Sequence, residues 1–161
     1  MAISPYLARL REKLGHELLL TPSVTVLVRD HERRVLLVQS ADSGRWQTIG
    51  GMIEIDETPH AAAHREAYEE TSVTVELGPI LAVLGGPQFR VTYPNGDQIA
   101  YVTTVFDARV SGGKPAPDGE ETLAVEWFAP NELAGVDTDA ITRAILDACI
   151  PPGGIEPPLR A

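Results

Sequence analysis

Three glutamates, Glu66, Glu69 and Glu70, fall within five positions in the stretch HREAYEET. On an α-helix, which turns about 100° per residue, they occupy an arc of about 100° on one face. Three carboxylates then converge on one small volume. Like charges at this spacing destabilise a helix by about 0.2–0.5 kcal/mol per pair, so the pattern suggests a multivalent cation among them. Hard oxygen ligands select Mg²⁺ or Mn²⁺. The alternative is a solvated acidic helix face with no ligand. Two flanking signals favour the ligand. Gly50-Gly51 can adopt positive φ or let the backbone approach a ligand closely, and Thr58-Pro59 reads as a helix N-cap followed by a first-turn proline. A glycine loop is thus expected to feed the acidic helix.

The whole run from Gly50 to Val73, GGMIEIDETPHAAAHREAYEETSV, resembles the Nudix box, with Gly51, Glu57, Arg65, Glu66, Ala67, Glu69, Glu70 and Val73 in register. The second glycine of that pattern is Ser72 here. If Ser72 must take positive φ the cost is roughly 1 kcal/mol, paid at the helix end and away from the carboxylates. The preceding SGRWQTIGG is also similar to the family, which often has proline where Ile49 stands. The resemblance implies a fold, a reaction and a set of roles. The fold is α/β, a Nudix-type α/β/α sandwich with a mixed β-sheet, here carrying an extra N-terminal helix. The reaction is hydrolysis of a pyrophosphate link. Glu66, Glu69 and Glu70 would carry the metal, with a carbonyl of the Gly50-Gly51 turn completing its sphere. Arg65 would orient a carboxylate, unless it only forms a surface pair worth at most about 1 kcal/mol. Glu57 would support the loop and ligand shell together with Gly51, or else favour the helix N-terminus through its dipole. The general base comes from the box or from a loop elsewhere. Glu120 and Glu121 end a glycine- and proline-rich loop, and Glu121 is the preferred base or extra ligand, against the reading of an exposed loop acid.

Substrate is written more faintly. Pro87 stands fourteen residues beyond Val73, which resembles the pattern of Nudix enzymes that cleave ADP-ribose. In GGPQFRVTYPNGDQ, Phe89 or Tyr93 could stack on a base and Arg90 could meet phosphate or a terminal ribose. The plainer alternative makes Phe89 and Tyr93 ordinary strand residues and Pro87 a strand boundary. The expected activity is Mg-dependent cleavage of a nucleoside diphosphate linked to another moiety, such as ADP-ribose or a nucleotide sugar. The alternatives are a (d)NTP pyrophosphohydrolase and a nucleotide-binding module without catalysis. A third reading, a zinc-binding regulatory domain, uses His60 and His64 at i,i+4. His64 lies about 200° around the axis from Glu66, so that pair points away from the acidic face.

The elements that must position these residues are legible in outline. A helix is expected over 4–15, with Ser4-Pro5 as its start and Gly15 as its stop; it packs on the domain or forms a homodimer contact. Val24–Arg29 and Val35–Ser40, joined by DHERR, read as a hairpin, and a short strand follows at Trp46–Ile49. Val75–Leu84 and Gln98–Val110 are long strand patterns with the turn signal Asn95-Gly96 between them. Ser111–Glu121 reads as loop, Leu123–Phe128 as strand and Asp137–Ala148 as helix. Residues 1–20 are then an N-terminal extension, 21–150 the main domain, and 151–161 a flexible tail rich in proline and glycine. The chain has 161 residues, 43% apolar and 22% charged, which suits one soluble domain. Cys149 is the sole cysteine, read as a buried apolar residue, and a reducing cytoplasm is consistent with it. No signal-like or membrane-spanning stretch is expected. A net charge of −10, from 23 acids against 13 bases, argues against nucleic acid as a partner. A phosphorylated small molecule remains compatible once cations invert the local field.

Overall fold

The computed structural model describes residues 4–150. The expected tail at 151–161 lies outside them. Helix α1 (Pro5–Leu14) begins where Ser4 Oγ accepts the Leu7 N–H at 3.2 Å and stops at Gly15, whose φ is 60°. Among the described residues no helix is long and apolar enough to cross a membrane.

A mixed sheet forms the centre. β1 (Leu19–Val28) runs parallel to β7 (Gln98–Gly113) and antiparallel to β4 (Ile49–Met52), while β5 (Val73–Leu84) and the short β6 (Arg90–Thr92) both pair antiparallel with β7. A second, antiparallel sheet has the order β3 (Trp46–Gln47), β2 (Val35–Ser40), β8 (Thr122–Phe128). The expected hairpin of the first two strands does not form. After a single bridge from Arg29 to Val35, β1 and β2 part into different sheets, because both edges of β1 are taken by β4 and β7. The short strand at Trp46–Ile49 is likewise two strands: the chain leaves the second sheet at Gln47, passes Thr48 and joins the first at Ile49. β1 also starts five residues before its expected position. Pro22 does not break it, since its carbonyl still accepts the Ile53 N–H at 3.2 Å.

Helix α2 (Pro59–Thr71) lies on one side of the sheets against β1, β4 and β5, and α3 (Ala140–Cys149) lies on the other against β5 and the one-turn helix Pro87–Phe89. The strands serve two cores by alternation. Val24, Val26 and Val28 meet Ala62, Ala63 and Ala67 of α2, whereas Leu27, Val35 and Leu37 meet Ile145 and Leu146 of α3. Three fully buried alanines let the acidic helix sit close to the sheet. Each buried Val, Leu or Phe contributes about 1.5–3 kcal/mol of transfer free energy, so that position is firmly set. α3 begins three residues later than expected, because Asp139 rather than Asp137 caps it, accepting the Thr142 N–H. Gly112 and Gly113 belong to β7, paired with Thr74 and Val73, so the glycine-rich loop is shorter than the sequence suggests.

Candidate active site

Gly50 and Gly51 are not a loop but part of β4, paired with Thr25 and Val24. The loop that feeds α2 spans residues 53–58, and Thr58 Oγ1 caps the helix by accepting the Ala61 N–H at 3.2 Å. Both glycines are required by close approach. Gly50 has φ 150°, and a Cβ there would come within 3.0 Å of Thr25 Cα; a Cβ on Gly51 would run into the Glu66 carboxylate. The acidic face of α2 is therefore pressed against backbone. At the other end Ser72 does adopt the left-handed conformation, φ 58° and ψ 18°, and its N–H donates to the Tyr68 carbonyl.

Arg65 organises the carboxylates. Its Nε and Nη2 donate to the two oxygens of Glu57 at 2.9 Å each, Nη1 donates to Glu66 at 2.7 Å and to Glu69 at 3.0 Å, and Nη2 also reaches the Met52 carbonyl. Glu57 in turn accepts the Glu54 N–H, which makes it the support of the 53–58 loop. The Arg65 guanidinium holds the Glu57 carboxyl below its usual range. Burial pushes Glu66 up, with Arg65 opposing and the charges of Glu69 and Glu121 adding. Burial pushes Glu70 well up, reinforced by Glu66, Glu121 and Asp118 and opposed by the Gly50 N–H, which donates to Glu70 Oε2 at 3.2 Å.

The sequence-predicted residues are thus brought together, though not into a finished coordination sphere. Among the described residues no three His, Cys, Asp or Glu side chains close around one point as a metal site. Glu66 and Glu69 are turned onto Arg65 and Glu70 onto Gly50. The donor chemistry nonetheless fits a hard divalent cation: carboxylates whose mutual repulsion and burial resist ionisation gain most from a compensating charge. Glu121 stands with them across the face, on a turn built by Asp118, whose Oδ1 accepts the N–H groups of Glu120, Glu121 and Thr122 and the Thr122 hydroxyl.

Two clefts meet at this face, and Gly51, Met52, Glu70 and Glu121 border both. The inner one, about 670 Å³, lies where the two sheets and α3 come together. Its wall carries Thr25 and Thr103, whose hydroxyls are 3.0 Å apart, and Tyr93 and Tyr101, whose hydroxyls are 2.6 Å apart. The outer one, about 700 Å³, is bounded by α1, the start of β1 and the 53–56 loop.

The substrate contacts read from sequence divide. Tyr93 borders the inner cleft. Phe89 also reaches its wall, but the ring is 1% exposed and packed with Leu27, Val35 and Ile145, so no face is open to a base. Arg90 is exposed and does not line the cleft, whereas its neighbours Val91 and Thr92 do. Sequence reading missed Tyr101, Thr25, Thr103 and Asp118. The signal was present: Ser23 and Thr25 alternate with Val24 and Val26, and Tyr101 and Thr103 share one face of β7, a wet stripe on otherwise apolar strands. His60 and His64 are exposed, gather no third ligand among the described residues, and the His60 ring meets Phe106 edge-on at 5.0 Å. Burial pushes the Cys149 thiol up to about 11, as suits a packing residue.

Comparison with known proteins bears on family and fold. A family model described as the NUDIX domain matches residues 19–148. A MutT-like protein of Streptomyces ambofaciens is 33% identical over 78% of this chain and 75% of its own. A putative 8-oxo-dGTP diphosphatase of Bacillus subtilis is 29% identical over 70% of this chain and 69% of its own. Among solved structures, a MutT NUDIX hydrolase from Burkholderia pseudomallei superposes with a TM-score of 0.65 at 22% identity, covering 81% of this chain and 98% of the other, which shows a shared fold.

Proposed function

The chain belongs to the Nudix family of hydrolases that act on phosphoric anhydride bonds, and on that premise we propose that it cleaves a nucleoside diphosphate linked to a second moiety, in the manner of ADP-ribose or a nucleotide sugar. One observation carries the reading: half-buried Glu70 and Glu121 border both of two clefts of similar size, and Glu66 and Glu69 border the outer one. A substrate with a pyrophosphate in its middle and a sizeable group at each end suits that layout.

In this reading Glu66, Glu69 and Glu70, with a carbonyl of Gly50, hold Mg²⁺ or Mn²⁺. Such an ion, when bound, neutralises phosphate charge and lowers the pKa of a coordinated water. The chain's own residues do the rest. Arg65 holds Glu66 and Glu69 in fixed orientation, Glu57 anchors Arg65 in turn, and Gly51 leaves room for the Glu66 carboxylate. Glu121 takes a proton from the attacking water. Tyr93 and Tyr101 present hydroxyls to one end of the substrate.

A second reading, (d)NTP pyrophosphohydrolysis, is favoured by the relative named as a diphosphatase of 8-oxo-dGTP. A panel of ADP-ribose, ADP-glucose, CDP-choline, dinucleoside polyphosphates and (d)NTPs, assayed with Mg²⁺ by product identity, separates the two. The highest kcat/KM should fall on a diphosphate with two organic ends; a maximum on a triphosphate with release of pyrophosphate would transfer the assignment.

A further inference from the structure

The outer cleft combines three properties that together specify an occupant. Its apolar wall is uncovered: Tyr6 is 44% exposed, Leu20 76% and Ile55 57%, three of the chain's exposed large apolar side chains gathered on one concavity. Its charged wall has one sign, because among the described residues every charged side chain bordering it other than Arg65 is a carboxylate. Arg65 is already engaged by Glu57, Glu66 and Glu69. At about 700 Å³ it has the capacity of an ordinary small-molecule site, and it opens directly onto Glu66 and Glu70. Part of its apolar wall comes from α1, which lies before the residues that match the family model.

We infer that this cleft is a substrate subsite, completed by α1, for an uncharged moiety with a flat or apolar face, the class to which a nucleobase belongs. The inference rests on the proposed hydrolase reading and says what one end of that substrate must be. Exposed apolar surface gains from burial by such a group. A polyanionic end, by contrast, would enter a wall of carboxylates with no uncommitted cation among the described residues that line it. A purely hydroxylic end fits the inner cleft, with its threonines and tyrosines, better than this one.

The test compares diadenosine diphosphate, whose two ends are both uncharged, with ATP, in which one end is a polyanion, using the full chain with Mg²⁺. The ratio of their kcat/KM values should favour the dinucleotide by about tenfold, and a Tyr6→Ala/Leu20→Ser double variant should lower that ratio by about tenfold, mostly through KM. Tyr6→Phe should retain it. Ile55→Ser, on the 53–56 loop and outside α1, should move the ratio the same way, so the result does not depend on α1 remaining docked in the double variant. Calorimetric binding of methylene-bridged analogues of both compounds reads the same preference without turnover. Preference in binding but no hydrolysis of either compound would sink the hydrolase reading and leave the subsite standing. Hydrolysis with a ratio that favours ATP, or that does not move in folded variants, would overturn the subsite. A change in molecular mass by light scattering with an unmoved ratio would assign the face to a second copy of the chain and also overturn it.

Discussion

Arg65 supplies one positive charge to Glu57, Glu66 and Glu69 together, while among the described residues the Glu70 side chain receives a backbone N–H, that of Gly50. The acidic face is therefore underneutralised, and Glu70 bears most of the consequence. Replacing Glu70 by Gln keeps an acceptor for the Gly50 N–H and removes the charge. Activity and stability should then move in opposite directions: kcat/KM falls by about a hundredfold or more, while Tm in EDTA rises by a few degrees, since about 1 kcal/mol moves Tm by roughly 2–4 °C at this chain length. A lower Tm accompanying the lost activity would mean that Glu70 is a structural residue. The same imbalance sets the pH dependence. Glu66 and Glu70 are raised, so their contribution is present below the unfolded carboxylate range, about 4.3, and is lost as pH rises through their folded values. Glu57, Asp97 and Asp118 are lowered, so theirs is present above the unfolded range and lost as pH falls through their folded values. Tm in EDTA should peak on the acid side of neutrality and decline toward pH 8, and Mg²⁺ should lift the neutral side most. A steady rise in Tm from pH 5 to 8 without metal would contradict these signs.

At the scale of elements, the acidic helix was legible because every signal for it is local. Its cap, its proline, its carboxylate spacing and even the left-handed Ser72 can be read within twenty residues. What could not be read was partnership. Nothing inside DHERR states that both edges of β1 are already occupied, and nothing inside TIGGM states that the chain changes sheets at Thr48. For the same reason the sequence leaves Phe89 open between a stacking role and an ordinary strand residue: only the packing of α3 against its short turn shows the ring to be core. The turn carrying Glu121 is a related case, since its shape comes from Asp118, a residue with no pattern around it. Glu121→Gln should lower kcat by about tenfold or more, with Glu120→Gln near the parent rate. Equal, small effects of both changes would return the base to α2. Ser72→Gly should remove the backbone penalty at the helix end, raising Tm by roughly 2–4 °C for about 1 kcal/mol with kcat intact. No gain in Tm would mean that the Ser72 side chain offsets its own strain.

For the molecule as a whole, the described chain passes between the two sheets three times, after β1, at Thr48 and after β7, and the passage at Thr48 is the shortest. Thr48 sits between the strand that ends one sheet and the strand that begins the other, with its N–H on the Thr142 hydroxyl of α3 at 3.3 Å. Two residues farther on, the Gly50 N–H holds Glu70. Mechanically this shortest crossing is one rivet between the sheets, and the N–H that holds Glu70 is mounted beside it. A ligand that draws the sheets together over the inner cleft pulls on the strand that positions the Glu70 carboxylate. In the proposed reading cation and organic substrate act on one lever, and thermodynamic reciprocity requires each to tighten the other by the same factor. The Kd for Mn²⁺ measured with and without a methylene-bridged dinucleotide, and the dinucleotide Kd measured with and without Mn²⁺, should change by one common factor greater than one. In a Thr142→Val variant, which unpins the rivet from α3, that factor should shrink toward unity while each ligand still binds alone.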